Sequence, residues 1–436
     1  MNVLENVKNP GFHGFLAGFL AIALQIQVTL FSSEDYLGLR VNLADFILPL
    51  LGLFILISLL LKRSVWPRWS GKFGYWAIAL LSAAMLLACV NGYLTLGHWS
   101  NWALVNKTLG WFILMAYLGA GAWITANSHK DFFYTFSAAF IAFLCLTGCY
   151  EIFTSYSSWE VKGLGNATVL QSTEGFMYNR NAFAFLFLTG MFLICETFLP
   201  SIKNSKAKKI LFYLFWAIAP FCILMNGSRT LWLLLIPLFI MLFIRHKTAL
   251  LKHVMPFFLI GAILIPVVFQ NSFTYALRPV HQTAITFQDQ DERKEYHEKH
   301  NVHERYDFLR VRIIRDGLSL LNQKPFTGAG LGTLLEHQKE EYDKVLSVLD
   351  NTLLWILVEM GPFGLFSFLL VYIVMMHTLY KHREESPLHS TAFYMLLAFG
   401  FFSLFHEILY TRFMWFILGM TLALPIARRD GLKPAA

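Results

Sequence analysis

A series of apolar runs, each about as long as a bilayer is thick, limits what this chain can fold into more than any other feature. The hydrocarbon core of a bilayer is about 30 Å thick, and a helix crosses it in about 20 residues. Backbone polar groups in lipid need partners within their own segment, so such runs predict helices. We therefore expect an all-α polytopic membrane protein with about twelve transmembrane helices. The runs lie near residues 13–31, 43–61, 75–93, 105–126, 132–153, 180–199, 208–225, 229–245, 253–270, 362–380, 388–406 and 410–427.

Composition agrees with a membrane protein and argues against a nucleic-acid partner. Only 14% of the residues are charged, whereas roughly a quarter are charged in a typical soluble domain. The formal net charge of +8 comes from short basic clusters between the apolar runs, where membrane topology explains it. The five cysteines lie in or beside apolar runs without CxxC spacing, so no disulfide framework is expected. We find no internal repeat and no cleavable signal peptide, and we treat residues 1–436 as a single membrane domain.

The positions of lysine and arginine predict the orientation of the chain. Basic residues collect on the cytoplasmic side of membrane proteins. Connections after odd-numbered runs are poor in them, since residues 32–42 hold only Arg40. Both termini are therefore predicted on the cytoplasmic side, which in a bacterium would be that of the inner membrane. The large loop of residues 271–361, between the ninth and tenth runs, then faces the periplasm. The basic clusters lie within residues 62–72, 203–209, 245–252, 381–383 and 428–433.

Two arginines stand at the predicted outer ends of helices. Arg180 opens the sixth run, and Arg229 lies in the very short turn before the eighth. One interpretation is that each simply reaches the membrane interface along its aliphatic stem. The alternative is an anion clamp, because two outward arginines oppose the charge bias. Helix N-termini would add partial positive charge and free N–H donors there.

The first half of the loop, residues 281–312, is dense in charge. His297, His300 and Glu304 would fall on one face of a helix, which is one pattern of a metal site. A solvated amphipathic helix explains the same pattern, and we predict no metal and no other cofactor. A helical pattern at 310–321 leads into a glycine-rich turn at 325–332. This turn is no nucleotide-binding motif, because no buried strand precedes it. We expect it to bring the backbone close to a lipid-linked ligand.

The loop returns to the membrane after a second polar helix, predicted at 334–344. Asp350 stands at this return, directly before an apolar run. Its side chain would either cap the following helix or act as a base on an acceptor hydroxyl. The sequence leaves both interpretations open.

Taken in order, these motifs resemble the O-antigen ligase and polymerase superfamily. That family has many membrane spans, a middle span opened by an asparagine motif, a Ser-Arg pair between the next two spans, and a large periplasmic loop. The resemblance covers roughly residues 170–375. The matching motifs here are Tyr178-Asn-Arg-Asn181, Ser228-Arg229, Arg305 or Arg310, Pro325 to Gly332, and Asp350-Asn351 followed by Glu359, Gly361 and Gly364.

The resemblance implies a metal-independent glycosyltransferase with an undecaprenyl-diphosphate-linked glycan as donor. Its implied catalytic residues are Asp350, Arg229 and a loop arginine, for which Arg310 fits the spacing to Pro325 best and Arg305 comes next. Guanidinium groups would stabilise the charge that grows on the departing diphosphate. The expected partners are a glycan or lipid A–core acceptor, membrane lipids and a chain-length regulator protein. The predicted substrate-binding residues are Arg180, which follows from position alone, Arg305, Asn181 and Asn351.

One departure bears on the subtype. Ligases of this family typically have His before the asparagine of the returning loop, and this chain has Asp350. A carboxylate can still serve as a base, so the transfer chemistry is retained. Asp-Asn at this place resembles the chain polymerases of the family more than its ligases, and we therefore favour an O-antigen or polysaccharide polymerase. An O-antigen ligase and a protein O-oligosaccharyltransferase remain alternatives. A lipid-linked glycan transporter is the alternative from another class, although flippases tend to show internal repeats and charges buried at mid-membrane.

Overall fold

The computed structural model describes most of the chain except its two ends and the first part of the large loop. The described residues are 10–33, 36–62, 64, 66–67, 72–127, 132–162, 174–177, 179–203, 205–226, 228–268, 304–342 and 348–429.

Helices dominate this part of the chain, and each of the predicted apolar runs overlaps one. Before the loop come α1 Pro10–Ala23, α2 Leu48–Leu60, α3 Lys72–Leu96, α4 Gly110–Asn127, α5 Phe132–Lys162, α6 Arg180–Leu193, α7 Lys206–Met225, α8 Arg229–His253 and α9 Met255–Val268. Within the loop lie α10 Glu304–Gln323 and α11 Thr333–Tyr342, at the two predicted loop helices. After it come α12 Thr352–His382, α13 Pro387–Ser403 and α14 Arg412–Arg429. A π-helical segment, Trp102–Leu109, leads into α4, and another, Ile194–Phe198, extends α6.

Six helical stretches among the described residues are long and apolar enough to cross a membrane. Two shorter apolar helices, Gly14–Ala23 and Leu48–Leu60, accompany them. A helical, multi-pass membrane protein is therefore confirmed, and the number twelve stays a prediction. The six stretches are Gly74–Leu96, Trp102–Asn127, Phe132–Thr154, Arg180–Ser201, Thr230–His253 and Thr352–His382.

The chain is helical as predicted except between the first two helices, where it forms a β-hairpin. Strand β1 (Gln27–Ser33) pairs antiparallel with β2 (Tyr36–Asn42), and Val28 lies opposite Val41. The first predicted run, residues 13–31, is therefore helical only as far as Ala23. Alternating apolar and polar residues with β-branched side chains favour strands. The sequence Ser-Ser-Glu-Asp at 32–35 supplies residues that favour a turn between the strands.

Helix α6 lies at the centre of the bundle, since every residue from Ala182 to Leu193 is buried. Around it, α4 packs along α14, α3 along α12 and α1 along α5. Small residues permit the closest of these approaches. A Cβ on Gly121 would overlap the carbonyl of Phe416, and one on Gly419 would overlap that of Leu118.

Polar contacts sort the helix ends into two sets. At one end of the bundle, Glu196 accepts hydrogen bonds from Arg245 (3.0 Å) and His246 (2.9 Å), and Arg245 also donates to Glu384 (2.7 Å). We call the other end the loop face. It holds the ends of α3, α7 and α13 and the starts of α6, α8, α12 and α14, in contact with the loop or with each other. At each end of the bundle, the residues in contact belong to segments that the pattern of basic clusters predicts on the same side of the membrane.

Candidate active site

Among the helices that begin at the loop face, α6, α8 and α12 are each capped by a polar side chain. Asn179 Oδ1 accepts hydrogen bonds from Asn181 N (2.9 Å) and Ala182 N (3.1 Å) at the start of α6. The hydroxyl of Ser228 accepts from Leu231 N (3.4 Å) at the start of α8. At the start of α12, Asn351 Oδ1 accepts from the backbone N of residue 354 at 2.9 Å. Asn179 satisfies two N–H donors, and Ser228 and Asn351 satisfy one each. The remaining first-turn donors and the helix dipole leave partial positive charge at each start.

One buried histidine joins these three helix starts. His406 follows α13 and is 9% exposed. Its Nδ1 lies 3.1 Å from Asn181 Nδ2, and its Nε2 lies 2.9 Å from Thr230 Oγ1. Its backbone carbonyl accepts a hydrogen bond from Thr352 Oγ1 at 2.9 Å. The positive ends of α6, α8 and α12 therefore converge on one place.

Further bonds hold α6 to the turn that precedes α8. Ser228 Oγ donates to Asn181 Oδ1 at 3.1 Å. Asn226 Nδ2 donates to the backbone carbonyl of Arg180 at 2.9 Å. The starts of the two arginine-bearing helices, separate in sequence, are thus in direct contact, as their predicted common face requires.

The structure describes the side chain of one predicted arginine and only the backbone of the other three. Arg180 begins α6, and its side chain is exposed. The backbone of Arg229 begins α8, and the backbones of Arg305 and Arg310 lie in α10. The side chains of these three lie outside the described residues, so their contact with a diphosphate stays a prediction. The histidine pattern at His297 and His300 also lies outside the described residues, as does the side chain of Glu304.

Asp350 is exposed where the loop returns, and it is not the cap of α12. Asn351 fills that position with an extended backbone (φ −135°). Its amide also donates to the carbonyl of Leu404 at 2.5 Å, beside His406. The interpretation of Asp350 as the cap of this helix is therefore wrong, because the side chain of Asn351 accepts the hydrogen bond from the backbone N–H of Leu354.

The glycine-rich turn packs against protein backbone. Gly328 and Gly330 have positive φ of +72° and +102°, which favours glycine. A Cβ on Gly328 would overlap the backbone N of Gly361, and one on Gly330 would overlap the backbone N of Gly92. The predicted close approach of the backbone is thus present, and its partners in the protein are α3 and α12. Gly361 breaks α12 with a φ of +71°, which gives room for this contact.

The residue after His406 forms a largely buried ion pair. Glu407 pairs with Lys107, whose side chain is 3% exposed. The ammonium Nζ lies over three aromatic rings, 4.1 Å from the centroid of Trp355 and 4.9 Å from those of Trp102 and Tyr410. Such cation–π contacts help to offset the loss of hydration.

The same cluster reaches the glycine-rich turn through a second carboxylate. Trp355 Nε1 donates to Glu359 Oε2 at 2.7 Å, and Gly332 N donates to Glu359 Oε1 at 3.2 Å. The turn, the start of α12 and the π-helical segment before α4 are therefore fixed to one another.

Sequence reasoning missed His406, Glu407 and Lys107. His406 and Lys107 fell inside the predicted runs 388–406 and 105–126, where they were counted as part of apolar helices. A signal was available, because an ionisable residue within a predicted span indicates a functional site by default. In addition, π-helical segments such as the one that holds Lys107 are frequent at functional sites.

Comparison with known proteins agrees with the predicted resemblance. A family model described as O-Antigen ligase matches residues 212–369. The matched segment contains Arg229, the loop arginines, the glycine-rich turn and the Asp350-Asn351 pair. No curated protein gives a significant match to the chain.

Proposed function

We propose, on the premise that this chain is a member of the O-antigen ligase and polymerase superfamily, that it transfers a glycan at the loop face. The donor is an undecaprenyl-diphosphate-linked glycan, and the acceptor is a sugar hydroxyl. Asp350 in place of the ligase histidine favours a polymerase of O-antigen or a related polysaccharide. The loop face is then the periplasmic side of the bacterial inner membrane.

The convergence of three helix N-termini on His406 carries this proposal. Two of them, the starts of α8 and α12, lie within the segment that matches the family. Helix N-termini attract anions through free N–H donors and the helix dipole. The leaving group of the proposed reaction is an anionic diphosphate, so the electrostatics of the site suit that donor.

The residues divide the proposed chemistry between them. The acceptor oxygen attacks the anomeric carbon, and the bond from that carbon to the diphosphate oxygen breaks with the electron pair on the diphosphate. Arg229, with Arg310 or Arg305, stabilises that charge, and Arg180 adds to it from the start of α6. Asp350 takes the acceptor proton.

Asn181 and Asn351 keep their proposed place in the substrate site. Both side-chain amides also hydrogen-bond to protein groups. They therefore fix the edges of the site as well as lining it.

A deletion strain distinguishes the polymerase from its alternatives. A polymerase deletion leaves core that bears one repeat unit on the cell surface, and this is the expected result. A ligase deletion leaves bare core while lipid-linked polymer accumulates. Unchanged surface polysaccharide would contradict both and would point to a protein acceptor or to another polysaccharide.

A further inference from the structure

Two adjacent residues in the turn after α13 reach different parts of the loop face. His406 contacts α6, α8 and α12, as described above. Glu407 pairs with Lys107, whose aromatic surroundings include Trp355 of α12. The turn therefore contacts the start of α12 directly through His406 and indirectly through Lys107.

The hydrogen bonds around His406 fit a neutral ring. Asn181 Oδ1 accepts from Ser228, so the Asn181 amide nitrogen faces Nδ1 of His406 and donates to it. Nδ1 is then unprotonated, and Nε2 carries the hydrogen that it donates to Thr230 Oγ1. This assignment follows from the network of donors and acceptors. Because both ring nitrogens are engaged, His406 is not available as the base of the reaction.

We infer that His406 is a positioning residue, which holds the starts of α6 and α8 at the separation that the donor diphosphate requires. The backbone hydrogen bonds of a helix lie within that helix and do not join it to another. Side chains must therefore fix the spacing between two helix starts. His406 does so with a rigid planar ring bonded to the second residue of each helix, Asn181 and Thr230. Arg180 and Arg229 are the first residues of the same helices. The inference rests on the proposed function, since it assigns these helix starts to the donor.

Substitution of His406 tests the inference in purified protein. Small displacements of binding groups can reduce a rate by roughly 10²-fold, and we expect a loss of that order for His406→Ala. His406→Gln should keep a rate within about tenfold of the wild type, because its amide also accepts and donates. The matched control is His98→Gln, an exposed histidine of the same face that contacts only the backbone carbonyl of Leu96 in the described contacts. A wild-type rate in His406→Ala would overturn the inference.

A double-mutant cycle with Asn181→Ala separates positioning from general stability. If His406 acts through Asn181, the rate losses of the two variants should not multiply in the double variant. The thermal midpoints of the variants are measured beside the rates. Rate losses that multiply fully, or that follow the fall in thermal midpoint in every variant, would contradict a positioning role.

Binding of undecaprenyl diphosphate keeps this test independent of glycan transfer. The lipid should raise the thermal midpoint of wild-type protein and of His98→Gln, and it should raise that of His406→Ala less. A wild-type protein that binds the lipid but transfers no glycan would refute the proposed function alone. Equal stabilisation of wild type and His406→Ala would refute the inference alone.

Discussion

Arg180 and Arg229 each occupy the first position of a helix, so their charges add to the positive ends of helix dipoles. The capping groups Asn179 and Ser228 leave further first-turn N–H groups without helical partners. At the residue scale, we therefore propose that α6 and α8 bind an anion and that the exposed Asp350 accepts the proton.

Replacement of the proposed catalytic residues should remove activity without removing protein. Arg229→Ala and Asp350→Ala should each lower glycan transfer at least about 10²-fold, the usual effect of losing a charge-stabilising donor or a general base. The measurement is the length of surface polysaccharide, with protein amount checked by immunoblot. Arg315→Ala is the matched control, because Arg315 is exposed on α10 and has no proposed role. Full-length polysaccharide in both variants would show that the assignment is wrong.

The buried pair of Lys107 and Glu407 should matter chiefly for stability. Removing one partner of a buried ion pair typically costs about 3–5 kcal/mol, because it leaves a buried charge alone. Lys107→Met should therefore lower the thermal midpoint strongly. The double variant Lys107→Met/Glu407→Leu should recover much of that loss. A single variant as stable as the wild type would contradict the described pairing.

A polar side chain that interrupts an apolar run at its end can be singled out from the sequence. Arg180 and Asn181 stand out for this reason, and the structure brings Asn181 to the centre of the helix starts. His406 and Lys107 were missed because hydrophobicity averaged over about 20 residues absorbs a single ionisable group. The residues that His406 and Lys107 contact are distant from them in the sequence, so these contacts are not visible in it.

At the scale of elements, the glycine-rich turn is the joint between the loop and the membrane helices. Ala329 N donates to Val358 O at 2.8 Å, and Leu331 N donates to Ala88 O at 2.9 Å. Sequence predicted a turn with close backbone approach, since glycine alone tolerates it. It could not predict the partner, because α3 and α12 are distant in sequence. The hairpin β1–β2 was missed for a related reason, since its apolar strand continues the apolar run of α1.

A side chain on the glycine-rich turn should loosen this joint. Gly328→Ala would place a Cβ against the backbone of Gly361 at a positive φ, and strain of this kind costs roughly 1–3 kcal/mol. We expect a lower thermal midpoint in detergent. Gly52→Ala is the control, because Gly52 is exposed on α2 and no atom lies within 4 Å of an added Cβ. A Gly328→Ala variant as stable as Gly52→Ala would refute the described packing.

At the scale of the whole molecule, the helix ends form two polar faces, and the starts of α6, α8 and α12, which are distant in sequence, meet at the loop face. The alternation of basic clusters predicted which ends share a face, because each crossing of the bilayer reverses the side of the chain. It could not predict which helix starts touch, because bundle packing depends on small residues such as Gly121 and Gly419. The compartment that each face meets stays a prediction.

The central claim is that the chain performs glycan transfer rather than transport. Purified protein in detergent micelles has no compartments, so a product can form only by chemistry. We predict that it converts an undecaprenyl-diphosphate-linked oligosaccharide into longer lipid-linked glycan, that EDTA leaves the rate unchanged, and that Arg229→Ala abolishes the product. If the purified wild type binds this donor but forms no longer glycan with any hydroxyl acceptor offered, the claim is contradicted.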